Sequence, residues 1–272
     1  MVVHPGGLLR EGQVLQKLGL SVWAGLTIDP QALVITPFHQ ASGRLREILR
    51  GSERHGSCGL GVGETVGDSL AFSQDAVRMG DFANPAALKA KLLSIQRRKW
   101  SEFLPQRNRA VSTPSGLLEF SVLESREAAD EWTEQLLEVA ALCQVASIKL
   151  DGSRHRNLVF EGAQGVLLDE WRGFYPPTTW STCTFDNALG LLRDWPGAVE
   201  RVGVMRSYAT RHGAGPFPTE DPTMTTDEPD NHHGPWQKMH DIRPKHLRPM
   251  KGERVFKRNS WNRSTSAISR FA

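Results

Sequence analysis

Between Gly7 and Leu20 the apolar residues Leu8, Leu9, Val14, Leu15 and Leu18 recur near helical spacing, and Gly19 stands where a helix would stop. The pattern predicts a helix there. Leu26-Thr27-Ile28 and Ala32-Leu33-Val34-Ile35-Thr36 are short runs rich in β-branched residues on either side of Asp29-Pro30, which predicts two strands around a turn, with Pro37 closing the second. Phe38 to Leu49 (FHQASGRLREIL) has the amphipathic period of a helix, and further helical stretches run from Pro85 to Phe103 and from Glu124 to Cys143. Arg107 to Gly116 reads as the loop between them. Asn157 to Phe160 is an apolar run that breaks into glycines, the pattern of a parallel strand entering a ligand-facing loop, and Val202 to Tyr208 repeats it ahead of Thr210 to Gly215. Strand, loop and helix alternate, so the expected class is α/β, with a mostly parallel central sheet flanked by helices.

Composition narrows the picture without changing it. The chain has 272 residues, 39% of them apolar and 23% charged, which suits one large globular domain or two small ones and excludes collagen, coiled coil and wholesale disorder. No apolar run approaches the roughly 20 residues of a membrane helix, and the first residues lack a basic region followed by an apolar stretch. A cytoplasmic protein without membrane partners is expected. Cys58, Cys143 and Cys183 are odd in number, widely spaced and free of any CxxC, which argues against a disulfide framework and a zinc knuckle.

The net charge of +3 conceals an asymmetry. Arg243 to Ala272 carries nine basic residues and one acid, a net of +8, while the rest of the chain has 24 basic and 29 acidic groups, a net of −5. Periodicity also ends there, so the sequence predicts a domain over 1–237 and a basic, disordered tail over 238–272. Such a tail attracts polyanions, but Phe256 and Trp261 are too sparse to form a stacking platform, and nucleic acid is not an expected partner.

Three loops carry candidate chemistry. Gly56-Ser57-Cys58-Gly59-Leu60-Gly61-Val62-Gly63 spaces small residues so closely that backbone amides can approach an anion, with Ser57 adding a hydroxyl; no Lys-Ser or Lys-Thr follows, so it is not a Walker A loop. Phe160 to Gly165 (FEGAQG) sets the carboxamide of Gln164 between small residues, where it can meet a base edge or a developing oxyanion. Tyr175-Pro176-Pro177-Thr178-Thr179 offers hydroxyls in a constrained loop. Adjacent side chains such as those of His232 and His233 would point apart if the segment is extended, as its prolines and polar residues predict, and no metal site is expected from them. The glycine-rich loops at 56–63, 162–165 and 210–215 are expected to converge on one cleft.

Taken together, these stretches resemble adenylosuccinate synthetases. FEGAQGVLLDEWRGFYPPTTWS is similar to that family's EGAQGxLLD followed by GxYPxVTSSN, and VGVMRSYATRHGAGPFPTE to its VLGVxKAYTTRVGxGPFPTE. ITPFHQASGRLRE, RHGSCGLGVGET and VRMGDF resemble (I/L)xPYHxALDxxRE, GTTGRGIGP and VRVGDL in turn. The resemblance runs from about His4 to Gln237, and the GSCGxGVGET variant with GPWQ is most similar to an archaeal-type and phage 2-aminoadenylosuccinate synthetase-like branch.

The resemblance implies a ligase that joins IMP to L-aspartate with GTP and Mg2+, in AMP biosynthesis, with a homodimer as the family's assembly. It places Ser57, Cys58 and Gly59 at the loop for the nucleotide 5′-phosphate, with Cys58 in place of a hydroxyl-bearing threonine. Gln164 with Gly165 falls at the stabiliser of the purine 6-oxyanion, Thr179 at a phosphate contact, and His212 with Gly213 near the ribose. Arg78 falls at the arginine of VRVGD in a structural role, and no arginine stands where the family's intersubunit arginine would follow GVGET. The 272 residues contain neither a GxxDEGKGK loop nor, after GPWQ, an arginine segment and K-x-D guanine motif. From this the expected fold is an incomplete version of the family's, the GTP-binding residues are unassigned, and the expected chain is impaired or inactive alone. The alternatives are a synthetase acting on dGMP or another purine nucleotide, or a non-catalytic nucleotide- or nucleic-acid-binding remnant.

Overall fold

The computed structural model describes residues 2–148, 150, 157–162, 164–204, 210–211, 215–216, 254–255 and 269–270. The chain divides into two compact units, one formed chiefly by residues 1–148 and the other chiefly by 149–229 with the last residues of the chain.

The first unit is built around parallel strand pairs and packed helices. β1 (Val2–Val3) pairs in parallel with β3 (Leu33–Val34), and β2 (Thr27–Ile28) pairs in parallel with β4 (Gln144–Val145). The two runs flanking Asp29-Pro30 therefore do not pair with each other. Each instead finds a partner across the fold, as α/β folds require when helices cross between neighbouring strands. Met79 N–H donates to the Ala32 carbonyl and Val34 N–H to the Val77 carbonyl, which lays the 77–79 segment alongside β3. Among the described residues the parallel sheet consists of these short pairs.

α1 (Pro5–Lys17) begins at a His4 cap and is followed by Gly19 with φ +80°, so the stop expected at that glycine is present. α2 (Pro37–Arg50) is capped by Thr36, whose Oγ accepts from His39 N–H while His39 Nδ1 accepts from Thr36 N–H, and Pro37 supplies the fixed first-turn φ. Its inward residues Phe38, Ala41 and Leu45 are at most 1% exposed. α2 packs on α3 (Val62–Ala71), α4 (Pro85–Phe103) and α6 (Pro114–Glu124), while α7 (Ala128–Leu142) lies on α1 and α4. Leu88, Leu92, Ile95, Phe120 and Leu136 join Phe38 and Leu45 in one fully buried cluster.

Two corrections concern 107–116, read from sequence as loop. Arg107–Ala110 forms a short helical turn (α5), and Thr113-Pro114 opens α6 as cap and first residue, the Thr113 Oγ accepting from Gly116 N–H at 3.0 Å.

In the second unit α8 (Asp186–Leu191) is the one α-helix among the described residues. β5 (Val202–Gly203) pairs antiparallel with β8 (Ser269–Arg270), and β6 (Thr210–Arg211) with β7 (Arg254–Val255). The strand expected over 157–160 is not formed. Val159 is 93% exposed, and no neighbouring strand among the described residues takes the run's backbone hydrogen bonds.

Candidate functional site

In the first unit the glycine-rich loop leaves α2 and enters α3. Gly56, Gly59 and Gly61 have φ of +75°, +68° and +88°, the left-handed region in which a Cβ is costly. At Gly61 the requirement is doubled, because a Cβ would stand 3.0 Å from the Gln40 nitrogen and 3.1 Å from the His39 carbonyl carbon. These turns bring successive amides to one side. The Glu47 carboxylate fills the place of an anion there: its Oε2 accepts from Gly56 N–H at 2.9 Å and from Ser57 N–H at 3.4 Å, while Oε1 meets Arg50 at 2.6 Å. Ser57 Oγ accepts from Gly59 N–H at 3.2 Å, which leaves the hydroxyl proton to donate. Cys58 is exposed, and its N–H meets no acceptor among the described residues.

The other end of the loop is gripped by the same helix. Arg44 Nε donates to the Gly59 carbonyl at 3.0 Å, and its Nη1 reaches the buried Glu119 at 3.2 Å. Arg44 and Glu47, one helical turn apart, were not singled out from sequence. The available signal was a mixed-charge RLRE run on a helix just before a loop rich in unpaired amides.

Behind the loop lies a buried ionic cluster. Asp68 accepts from His39 Nε2 at 3.3 Å, Arg98 at 2.6 Å and Lys99 at 3.1 Å, and Glu64 accepts from Arg46 at 2.5 Å and Lys99 at 3.2 Å. Burial alone would raise both carboxyls, but the bonds from His39, Arg98 and Lys99 hold Asp68 far below the usual range, and those from Arg46 and Lys99 lower Glu64. His39 moves the opposite way from a simple ion pair. Its burial outweighs Asp68 and lowers its pKa, which agrees with a neutral ring whose Nδ1 accepts from Thr36 N–H and whose Nε2–H donates to Asp68.

In the second unit Gln164 is anchored by its neighbours. Its Oε1 accepts from Ser181 Oγ at 2.8 Å and lies 3.8 Å from Cys183 Sγ, and Ser181 Oγ is 3.4 Å from Thr179 Oγ1. Gln164 and Thr179, named separately from sequence, are thus joined through Ser181. Thr179 N–H also donates to the Leu168 carbonyl at 2.8 Å, and Leu168 N–H to the Gly165 carbonyl at 2.9 Å, which ties both loops to the turn Val166–Leu168.

Asp169, 1% exposed, organises this region. Its carboxylate accepts from the amides of Cys183 at 2.6 Å, Trp171 at 2.9 Å and Arg172 at 2.8 Å, and these bonds, Cys183's foremost, hold its pKa below the usual carboxylate value. Asp169 and Ser181 are further residues that the sequence reading passed over. His212 and Gly213 lie outside the described residues, as do His232 and His233. No group of three or more His, Cys, Asp or Glu side chains among the described residues is arranged to hold a metal ion.

The adenylosuccinate synthetase family model matches residues 1–234. The adenylosuccinate synthetase of Bordetella pertussis is 33% identical over 223 residues, covering 81% of this chain and 48% of its own length. That of Thermosynechococcus vestitus is 35% identical over 222 residues, covering 80% and 46%. The solved structure of fully ligated adenylosuccinate synthetase from Plasmodium falciparum superposes with a TM-score of 0.53 at 20% identity, over 82% of this chain and 49% of that one, and this likeness supports the α/β fold. The chain spans about half the length of the curated relatives it matches.

Proposed function

The chain belongs to the adenylosuccinate synthetase family, and from that premise we propose that it carries the purine-nucleotide-recognising part of a C–N bond-forming ligase. The proposed reaction is the family's. The 6-oxygen of IMP attacks the γ-phosphorus of GTP, releasing GDP, and the amine of L-aspartate then displaces the phosphate from C6.

In this reading the loop at Ser57, Cys58 and Gly59 takes the nucleotide phosphate, and Gln164 donates to the purine 6-oxygen as it gains negative charge. Gly165 leaves the carboxamide sterically open, Thr179 is proposed as a phosphate contact whose hydroxyl also stands beside Ser181, and His212 with Gly213 belongs to ribose recognition. The observation that carries the proposal is the Glu47 carboxylate seated on the Gly56 and Ser57 amides, with the Cys58 amide left over. Glu47 shows that the loop's amides turn toward an anion, and the donors not taken by it, the Cys58 N–H and the Ser57 hydroxyl, are the ones proposed to meet the phosphate.

Mg2+ and GTP belong to the family's chemistry, but the described residues offer no donor set that fits the ion, and no Lys-Ser or Lys-Thr follows the glycine-rich loop. Phosphoryl transfer depends on such groups for most of its rate, so the chain by itself is proposed to bind nucleotide without appreciable turnover. The GSCGxGVGET variant keeps dGMP, also a 6-oxopurine monophosphate, as an alternative substrate.

Calorimetry of the purified chain with IMP and with dGMP tests the phosphate loop when repeated on Cys58→Thr. A threonine restores a hydroxyl donor and is expected to tighten nucleotide binding by about 0.5–1.5 kcal/mol. No change for either nucleotide would remove this loop from the reading.

A further inference from the structure

A carboxamide offers a ligand either an acceptor or a donor, and the end that is anchored decides which. At Gln164 the anchored end is the oxygen. Ser181 Oγ stands 2.8 Å from Oε1 and Cys183 Sγ 3.8 Å from the same atom. The short bond sets the direction: Ser181 Oγ donates to Oε1, while the Cys183 thiol, a poor acceptor whose nearer partner is the Ser181 carbonyl at 3.5 Å, is compatible with an oxygen there and adds little to hold it. Burial pushes the Cys183 thiol up, which keeps it an S–H near neutral pH. Thr179 Oγ1, 3.4 Å from Ser181 Oγ, completes the direction: Thr179 donates to Ser181, and Ser181 donates to Gln164. The Gln164 NH2 then has no acceptor among the described residues.

The frame beneath this chain of donors is fixed. Asp169 takes the Cys183 amide at 2.6 Å and the Trp171 and Arg172 amides on the other side, so Cys183 is held by its backbone. Thr179 is held by its amide on the Leu168 carbonyl at 2.8 Å. Ser181 lies between these two fixed points. Loss of its hydroxyl frees the carboxamide to turn over, which exchanges donor for acceptor at no cost in shape.

We propose that Ser181 is a positioning residue that holds the Gln164 carboxamide with its NH2 toward the ligand, so that this loop selects purines bearing an acceptor oxygen at position 6 over those bearing an amino group. The assignment rests on the function proposed above. It applies equally to IMP and dGMP, which share the 6-oxo group, and it discriminates against AMP.

The test compares IMP and AMP affinities of the full chain by calorimetry for wild type, Ser181→Ala and Ser181→Thr, with thermal unfolding followed for each. Wild type is expected to favour IMP, Ser181→Ala to reduce the IMP-to-AMP affinity ratio by about two- to tenfold, the worth of one hydrogen bond, and Ser181→Thr to restore it. If Ser181→Ala does not fold, Ser181→Cys carries the same comparison with a weaker donor. Equal weakening of both nucleotides, or an unchanged ratio, overturns the positioning role while leaving the function reading intact. A wild-type chain that binds neither nucleotide overturns the function reading and the selection with it.

Discussion

His39 shows how much chemistry one buried side chain can hold. It caps α2 through Nδ1 and donates to Asp68 through Nε2, with Thr36, Lys99 and Glu64 completing its surroundings. Burial lowers its pKa, so between that value and the ordinary value of about 6.5 the unfolded chain binds more protons than the folded one. Stability contributed by the neutral ring is therefore present above about pH 7 and declines as the pH falls below about 6.5. Asp68, held far below its usual range, adds a second loss only at pH below about 4. Urea unfolding at pH 5, 6, 7 and 8 should show stability falling toward pH 5 in wild type and a flatter profile in His39→Gln. Parallel profiles would show that His39 does not set the slope. At Gly61 the expected outcome is simpler. Gly61→Ala forces a Cβ into left-handed backbone against Gln40, and a loss of about 1–3 kcal/mol should appear in the same measurement.

At the scale of elements α2 does two jobs with two stripes. Phe38, Ala41, Leu45 and Leu49 face the core, while Arg44 and Glu47 hold the glycine-rich loop. The helix was legible in FHQASGRLREIL because its apolar period and its Thr36-Pro37 start agree, and Pro85 to Phe103 was legible for the same reason. α6 was not. Leu117, Leu118, Phe120, Val122 and Leu123 are spread around its circumference, leaving no polar face to mark the period, and Thr113-Pro114 reads as a turn unless the cap is recognised. The strands were partly legible: their β-branched runs stood out, but each has two residues and pairs with a segment remote in sequence, as Ile28 does with Val145. Two substitutions test the packing. Leu45→Ala, at a fully buried site, should cost about 2–5 kcal/mol. Gly116→Ala should fail to maintain the α5–α6 corner, since its Cβ would fall 1.8 Å from the Ala110 carbonyl oxygen, and a melting temperature equal to wild type would contradict that contact.

For the whole molecule, family membership was the most legible property, because long motifs such as FEGAQGVLLDEW and GVMRSYATRHGAGPFPTE occur in order along one chain. For the candidate site, the sequence pointed only to residues proposed to meet ligand. Glu47, Arg44, Asp169 and Ser181 act on those residues from behind, and such supporting contacts are set by tertiary placement that no local pattern encodes. No helix among the described residues is long and apolar enough to cross a membrane. In the proposed reading the purified chain recognises a 6-oxopurine monophosphate through Gln164, while the described residues offer no donor set for the Mg2+ that phosphoryl transfer uses. An assay with IMP, GTP, Mg2+ and L-aspartate should therefore show no product above background, and robust product formation would contradict the proposed lack of turnover. The most direct measurement of the recognition is calorimetric titration of IMP into wild type and Gln164→Ala. Weak, saturable binding is expected, weakened by the substitution by about 1–3 kcal/mol, the cost of an unmade hydrogen bond; equal affinity for the two proteins would contradict recognition through Gln164.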